Sequence, residues 1–179
     1  MENWEVTMME VLDFRERKAN VQKDMYVGHS DKTVVSLGMN IPGPVKSGSS
    51  VYLAFCEGKM ILQEAIKSES GRIVKEQVFE EKAGYAAIYL VQGIQRDQMK
   101  KITTLLEETH PLGRLFDMDV LKENSESLSR TGIGATPRKC LLCHGDAKVC
   151  GRSRAHKIQE LQEKTASIIQ EWEKGREAL

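Results

Sequence analysis

A short alternating stretch constrains the fold of this chain most strongly. Phe116, Met118 and Val120 alternate with Asp117 and Asp119, which is the period-2 pattern of a strand. Successive side chains of a strand point to opposite faces of the sheet, so both aspartates share one face and the apolar side chains lie on the other. Aspartate is disfavoured in strands. The pattern therefore predicts a sheet strand that carries a pair of carboxylates on its polar face.

A pair of neighbouring carboxylates indicates a cation site. The two charges repel each other, and burial without a partner is costly. A hard cation such as Mg²⁺ relieves this repulsion and usually brings substrate phosphates into its coordination shell. Gly113 and Arg114, just before the strand, suit close backbone approach and bidentate pairing with phosphate. We interpret the motif as a site of metal-dependent phosphoryl or nucleotidyl transfer; the alternative is a surface strand whose polar face is acidic.

The periodicity of the remaining chain predicts the order helix, strand, helix, strand, strand, helix, strand, with one further helix at the end. This order is typical of an α+β fold with a mixed, largely antiparallel sheet and helices packed on it. The first helix is expected to bury Met8, Leu12, Ala19 and Tyr26. The predicted helices cover about 5–26, 50–67, 94–108 and 157–172, and the strands cover 33–41, a pair within 71–91, 115–121 and a possible return strand near 127–130.

Three of the four cysteines form a second candidate site near residue 145. Cys140, Cys143 and Cys150, together with His156, can provide the four ligands of a tetrahedral Cys3His zinc site. His144 is the competing fourth ligand, but it directly follows Cys143, which makes simultaneous ligation awkward. A disulfide framework is disfavoured in a cytosolic protein with an odd local number of thiols. We therefore predict a structural zinc module within 137–179, which also contains the last helix, packed on a catalytic domain over 1–136.

Composition excludes several classes of protein. The 26 basic and 26 acidic residues cancel, so no global field attracts nucleic acid or an anionic membrane. No apolar run approaches the ~20 residues of a transmembrane helix, and no secretory signal is visible at the N-terminus. A cytoplasmic protein without nucleic-acid or membrane partners is expected.

Several segments together resemble one known family. They are HPLGRLFDMDVL at 110–121, PRKCLLC at 137–143 and VCGR at 149–152, with further matches at Glu16, Arg17, Ala19, Gln22, Pro42, Gly43, Pro44, Lys46, Glu76 and Gln77. Because the acidic strand and the Cys/His cluster occur together, the chain resembles the citrate lyase holo-acyl-carrier-protein synthase family. This family is also called apo-citrate lyase phosphoribosyl-dephospho-CoA transferase.

The resemblance implies a reaction. A serine of the apo acyl carrier protein subunit of citrate lyase attacks a triphosphoribosyl-dephospho-coenzyme A donor, pyrophosphate leaves, and a phosphodiester joins the prosthetic group to the carrier. A nucleotidyltransferase-like fold is implied by analogy.

The resemblance also implies residue roles. Asp117 and Asp119 would hold Mg²⁺ or Mn²⁺, and Arg114 would bind a phosphate. Glu76, expected on a neighbouring strand, would supply a third carboxylate or the general base, although an exposed position on an edge strand is the simpler interpretation of this glutamate. The residues expected to bind substrate beside them are Gly113, Lys46, Arg17, Gln22 and Arg138.

Two other classes of function remain open at this point. One is a zinc-ribbon adaptor that binds a protein partner without catalysis. The other is a sugar-nucleotide glycosyltransferase, which also uses an Asp-x-Asp metal motif, although this chain is short for separate donor and acceptor halves. Replacement of Asp117 and Asp119 by asparagine separates the adaptor from the transferase, because the adaptor would keep its function and the transferase would lose most of its rate with the fold intact.

Overall fold

A computed structural model describes residues 5–177 of the chain; the outermost residues of the two predicted domains, 1–4 and 178–179, lie outside this description. The described helices are α1 (Met8–Tyr26), α2 (Ser49–Ser68), α3 (Arg96–Thr109), α4 (Ala147–Ser153) and α5 (Ile158–Glu177), and the strands are β1 (Thr33–Met39), β2 (Arg72–Glu81), β3 (Gly84–Gln92) and β4 (Phe116–Leu121). Short 3-10 turns lie at Gly113–Leu115 and Thr131–Ile133. The predicted order of the first seven elements is confirmed.

The four strands form one sheet in the order β2-β3-β1-β4. All three pairings are antiparallel, so the α+β class is confirmed and the parallel component of the predicted mixed sheet is wrong. The predicted return strand near 127–130 is also wrong: only a single bridge joins Leu121 to Ser127. It extends no further because the chain turns into the 3-10 helix from Thr131.

Side chains of the sheet alternate between two apolar clusters, as period-2 geometry requires. One face packs against α2, α3 and α5 through residues such as Leu37, Phe55 and Met99. The other face packs against α1, where Phe14 and Met25 cover Ile88 of β3. Both acidic side chains of β4 belong to the face that α1 covers, since Leu121 of β4 lies in that cluster at the same parity.

The predicted buried face of α1 is wrong in its first half, whereas Ala19 is half-buried and Tyr26 packs against the second apolar cluster as predicted. Met8 is 73% exposed and Leu12 is 51% exposed, whereas Phe14, Gln22 and Met25 are buried. The true stripe is displaced around the helix because Phe14 packs edge-on against Phe79 of β2, with 5.8 Å between ring centroids. A buried aromatic ring contributes more to stability than the methionine and leucine that the pattern favoured.

Helix α5 packs on the same core as the sheet. Thr165, Ile169 and Trp172 are buried, and Ile169 and Trp172 belong to the cluster that includes Leu37 of β1. Helix α5 thus contributes side chains to the core of the sheet, while the predicted division into two domains at residue 136 stays a prediction. None of the helices within 5–177 combines the length and the apolar character that crossing a bilayer requires.

Candidate functional site

The acidic pair lies on β4, as the alternation predicts. Phe116, Met118 and Val120 are buried, whereas Asp117 is exposed and Asp119 is half-buried. On the neighbouring strand β1, Gly38 stands opposite Asp117 and Ser36 stands opposite Asp119.

The neighbours of the pair leave polar capacity unused. Gly38 carries no side chain that could crowd the Asp117 carboxylate, and an added Cβ there would meet Asp117 only at ordinary contact distances, from 3.8 Å upward. The Ser36 hydroxyl is buried and has no hydrogen-bond partner within the described part of the chain. An unpartnered buried hydroxyl beside two carboxylates is typical of a site that receives a further polar species.

The electrostatics of the pair disfavour two negative charges. The Asp117 residue keeps contact with solvent, but protein atoms surround its carboxyl group closely. This desolvation, followed by repulsion from Asp119, raises the pKa of Asp117 from its ordinary value. Lys18 and Arg138 oppose the shift without cancelling it. A divalent cation bound by both carboxylates would reverse this balance.

The outer edge of β4 is covered by polar side chains of α3. The Met118 amide donates to Oε1 of Glu107 at 2.8 Å, and Nζ of Lys100 donates to the Met118 carbonyl at 3.2 Å. The backbone of Leu128 donates to the Val120 carbonyl at 2.7 Å. Lys100 and Glu107 are 5% and 4% exposed, so a buried cation and a buried anion stand beside the acidic strand.

These elements surround a cavity of about 310 Å³. Its wall brings both carboxylates together with a set of cations, which is the charge pattern that a metal-bound polyphosphate requires. The ionisable residues that line it are Asp117, Asp119, Glu107, Asp146, Lys100, Arg130, Arg138 and Lys148.

Arg138 connects the cavity to the turn before β4. Its Nη2 donates to the carbonyls of Arg114 at 2.7 Å and Gly113 at 3.3 Å, while Nη1 lies 3.6 Å from Oε1 of Glu107. Arg130 pairs with the same glutamate and also with Glu108 at 2.8 Å. The buried carboxylate of Glu107 therefore holds two arginines at the cavity wall.

Gly113 and Arg114 occupy positions that differ from the predicted phosphate loop. A Cβ at Gly113 would lie 2.6 Å from the backbone oxygens of Leu106 and Glu107, so the close approach there is to α3. Nη2 of Arg114 donates to the Lys139 carbonyl, and Arg114 is absent from the described lining of the cavity. Burial, followed by repulsion from Arg138 and Arg130, lowers the pKa of Arg114, which shows how crowded the cations are.

The Cys/His cluster forms a candidate metal centre. One ligand atom each from Cys140, Cys143, Cys150 and His156 lies within 4.8 Å of the others. The Sγ atoms of Cys143 and Cys150 are 3.6 Å apart, close to the roughly 3.8 Å that tetrahedral Zn–S bonds of about 2.3 Å imply. Nε2 of His156 is buried without a hydrogen-bond partner among the described residues. This group can hold a metal ion such as zinc, and the alternative ligand His144 is exposed and outside it.

Two of the three thiols, Cys140 and Cys150, have pKa values shifted in opposite directions. Burial opposes ionisation of Cys140, but hydrogen bonds from the Leu142 and Cys143 amides and from the neighbouring thiols outweigh it and lower its pKa to about 6. Hydrogen bonding to Cys143, burial and the interaction with Cys140 raise the pKa of Cys150 to about 11. A cation bound by these thiols would neutralise the thiolate that the lowered pKa of Cys140 favours.

The metal centre is joined directly to the cavity wall. The Cys140 amide donates to the Gly145 carbonyl at 2.7 Å, and the Ala147 amide donates to the Arg138 carbonyl at 2.9 Å. Asp146 caps α4 by accepting from the amides of Lys148 and Val149. Folding of the metal-binding loop therefore sets the positions of Arg138, Asp146 and Lys148 at the cavity.

Glu76 lies far from the acidic pair in the sheet. The expectation that it is on a strand neighbouring β4 is wrong, because β3 and β1 separate β2 from β4. Glu76 also stands opposite Tyr89, on the face of α2, and lies 3.5 Å from Nζ of Lys59. The simpler interpretation, an exposed glutamate on an edge strand, is confirmed.

Three further predicted substrate contacts, Arg17, Lys46 and Gln22, also lie outside the described lining of the cavity, whereas Arg138 lies within it. Arg17 forms a bidentate pair with Glu81 of β2. Nζ of Lys46 donates to the Ile41 carbonyl at 2.5 Å, and burial lowers the pKa of Lys46. Gln22 is buried on α1, one turn after Lys18, and thus lies on the helix that covers the acidic face.

Sequence reasoning missed the polar residues that α3 and the following turn contribute. Met99, Lys100, Thr103 and Glu107 lie on one buried face of α3, at spacings of one, three and four residues. A lysine and a glutamate on the buried face of a helix require partners, and this signal could have identified them. The role of Arg130 had no local signal, because its partners lie 22 and 23 residues away.

Comparison with known proteins was decisive for identity. The model of a family described as apo-citrate lyase phosphoribosyl-dephospho-CoA transferase matches residues 6–172. A protein from Vibrio cholerae serotype O1 (strain M66-2), named probable apo-citrate lyase phosphoribosyl-dephospho-CoA transferase, is 32% identical over 167 residues, which cover 93% of each chain. A protein of the same name from Streptococcus pyogenes serotype M5 (strain Manfredo) is 31% identical over 92% of this chain and 85% of its own. Protein CitXG of Leuconostoc mesenteroides subsp. cremoris is 32% identical over 96% of this chain and 36% of its own length. The match to the family includes both the acidic strand and the metal centre.

Proposed function

The chain belongs to the apo-citrate lyase phosphoribosyl-dephospho-CoA transferase family, and from this premise we propose that the cavity beside β4 is its active site. The enzyme transfers the phosphoribosyl-dephospho-coenzyme A group to the apo acyl carrier protein of citrate lyase. The donor is a triphosphate, and the acceptor is a serine of the carrier. The observation that supports this location is the pair Asp117 and Asp119 facing one cavity with four cationic side chains.

Asp117 and Asp119 would hold a divalent cation, Mg²⁺ or Mn²⁺. Their shared face, the raised pKa of Asp117 and the space opposite it at Gly38 fit such an ion. When bound, the cation neutralises donor phosphates and the charge that develops on pyrophosphate. The carboxylates also fix the side of the cavity at which the reacting phosphorus lies.

The cationic side chains orient the triphosphate. Arg138 and Arg130 are held by Glu107, so their guanidinium groups lose little freedom when a phosphate binds. Arg114 acts indirectly, because its bond to the Lys139 carbonyl steadies the loop that carries Arg138. The serine oxygen attacks the phosphorus nearest the ribose, its proton passes to solvent water, and the bond from that phosphorus to pyrophosphate breaks, so that pyrophosphate leaves with the bonding electron pair. Glu76 has no part in this step.

The Cys140, Cys143, Cys150 and His156 group would hold one structural zinc ion. Four protein ligands fill the tetrahedron, so no position remains for a reacting water. The zinc would stabilise the loop from which Arg138 and Lys148 reach the cavity. We expect about one equivalent of zinc per chain by elemental analysis of fresh protein, and less than half an equivalent contradicts the site. A cytoplasmic location stays a prediction of the sequence.

The activity is tested by mass spectrometry of the carrier. The purified chain is incubated with donor and apo carrier, with Mg²⁺ or with excess EDTA. We expect the carrier to gain the mass of the prosthetic group only when the cation is present. A carrier of unchanged mass with Mg²⁺ would reject the assignment and favour a non-catalytic adaptor, and loading that persists in EDTA would reject the role of the cation.

A further inference from the structure

Lys100 is a buried cation that the proposed mechanism has not used. It lies on α3, is 5% exposed, and its Nζ donates to the Met118 carbonyl at 3.2 Å. It forms no ion pair with any carboxylate of residues 5–177. A lysine ammonium has three donor hydrogens, so one long bond to a neutral carbonyl leaves most of its capacity unused.

The nearby acidic partner on the same helix is already committed. Glu107 lies two turns after Lys100 and accepts from the Met118 amide and from Arg130, with Arg138 also in contact. A buried ammonium without a counter-charge is costly. The cost is explained if an anionic ligand supplies the counter-charge, because Lys100 lines the same cavity as Asp117 and Asp119.

The position of Lys100 relative to the acidic pair is well defined. Its anchor, the Met118 carbonyl, belongs to the residue between the two aspartates on β4. The ammonium of Lys100 therefore lies at the edge of β4, and the residue to which it donates is the sequence neighbour of both aspartates. A triphosphate whose reacting phosphorus lies at the carboxylates would place its outer phosphates within reach of this edge.

We propose that Nζ of Lys100 binds the leaving pyrophosphate of the donor. This inference rests on the proposed function. As the serine oxygen bonds to the reacting phosphorus, the bond to the bridging oxygen breaks and its electron pair stays on pyrophosphate. Lys100 stabilises that negative charge by hydrogen bonding and keeps its own proton. It is then a catalytic residue, because it contacts the leaving group of the reaction.

A purely structural role for Lys100 makes a different prediction. If the side chain only caps the exposed carbonyl of Met118, then Lys100→Gln, which keeps a donor and removes the charge, should restore what Lys100→Met loses. If the charge binds pyrophosphate, the two variants should be similarly impaired. Lys101→Gln is the matched control, since Lys101 is exposed on the same helix.

The test is calorimetric titration of inorganic pyrophosphate with excess Mg²⁺ into each protein. We expect the Kd for pyrophosphate to rise about tenfold or more in Lys100→Gln, which corresponds to loss of one charge-assisted hydrogen bond. The control should stay within twofold of the wild type. An Lys100→Gln variant that binds pyrophosphate within twofold of the wild type would overturn the proposal.

A second measurement is made on the wild-type chain, so its result remains valid even if Lys100→Gln is unstable. The ¹⁵Nζ resonance of Lys100, assigned by its disappearance in Lys100→Arg, should shift when pyrophosphate and Mg²⁺ are added together. A resonance that does not move at saturating pyrophosphate contradicts the contact. Failure of the proposed function is seen separately, as absence of carrier loading by the wild type, whereas normal loading with unchanged pyrophosphate binding in Lys100→Gln rejects only the role of Lys100.

Discussion

Two carboxylates on one face of the sheet, Glu81 and Asp117, have pKa values shifted in opposite directions. Glu81, at the β2 edge, accepts from Nη1 and Nη2 of Arg17 at 2.6 Å each, and this hydrogen bonding lowers the pKa of Glu81. Asp117, at the β4 edge, has a raised pKa because of desolvation and the adjacent Asp119. The first carboxylate forms a direct ion pair with an arginine, whereas Asp117 forms no ion pair with any side chain of residues 5–177. A carboxylate without such a direct partner, beside a cavity, is a candidate for binding a cation from solution.

The two outer strands of the sheet also differ in how their edges are covered: the β2 edge is exposed, and the β4 edge is hydrogen-bonded to other parts of the chain. Residues 74–77 of β2 are all exposed, and two of them, Lys75 and Glu76, carry charges that discourage pairing of this edge with another chain. The β4 edge instead bonds to Lys100, Glu107 and the backbone of Leu128. Burying polar groups at the β4 edge costs stability. The same groups form part of the wall of the cavity.

The largest expected effect separates the two edges by catalytic rate. Asp117→Asn and Asp119→Asn should each lower the rate of carrier loading by roughly a thousandfold, about 4 kcal/mol of transition-state stabilisation, because the remaining carboxylate holds the cation poorly. Glu76→Gln at the β2 edge is the matched control and should load within twofold of the wild type. The rates are measured by mass spectrometry of the carrier, with circular dichroism to confirm folding. A Glu76→Gln variant that is as slow as the aspartate variants would break the comparison.

The sequence predicted what depends on local spacing. The alternation of Phe116, Met118 and Val120 is enough to place both aspartates on one face, and the intervals between Cys140, Cys143 and Cys150 are enough to predict that their side chains lie close together. Interactions between distant segments were not predictable in this way. Strand order placed Glu76 at the far edge, and no periodicity within β2 contains that information. The buried stripe of α1 was displaced because Phe14 contacts Phe79, 65 positions further along the chain.

The second effect concerns stability of the β4 edge. Glu107→Gln should lower the free energy of unfolding by about 2 kcal/mol, because a charged hydrogen-bond acceptor for the Arg130 side chain, which is 10% exposed, is lost. Glu108→Gln is the control on the same helix. Its side chain is 47% exposed, so its pair with Arg130 should contribute less than about 0.5 kcal/mol. Urea unfolding in a buffer with zinc measures both. Equal losses in the two variants would show that Glu107 does not organise the cavity wall.

The smallest effect is a difference in the sign of pH dependence between the two carboxylates. The pKa of Asp117 is raised in the folded chain, so its ionisation destabilises the fold at neutral pH, and this penalty fades as the pH falls toward the ordinary pKa of aspartate, about 4. Without divalent cations, Asp117→Asn should therefore be slightly more stable than the wild type at neutral pH, and the two should converge on acidification. The pKa of Glu81 is lowered, so Glu81→Gln should be slightly less stable at neutral pH, with convergence as the pH falls through that lowered value. Urea unfolding across the pH range in which zinc is retained measures both trends.

Addition of Mg²⁺ should reverse the order for Asp117→Asn, because only the wild type gains binding energy, and it should leave Glu81→Gln unchanged relative to the wild type. If Mg²⁺ stabilises Asp117→Asn as much as it stabilises the wild type, the cation binds elsewhere and the contrast between the two edges has no functional meaning.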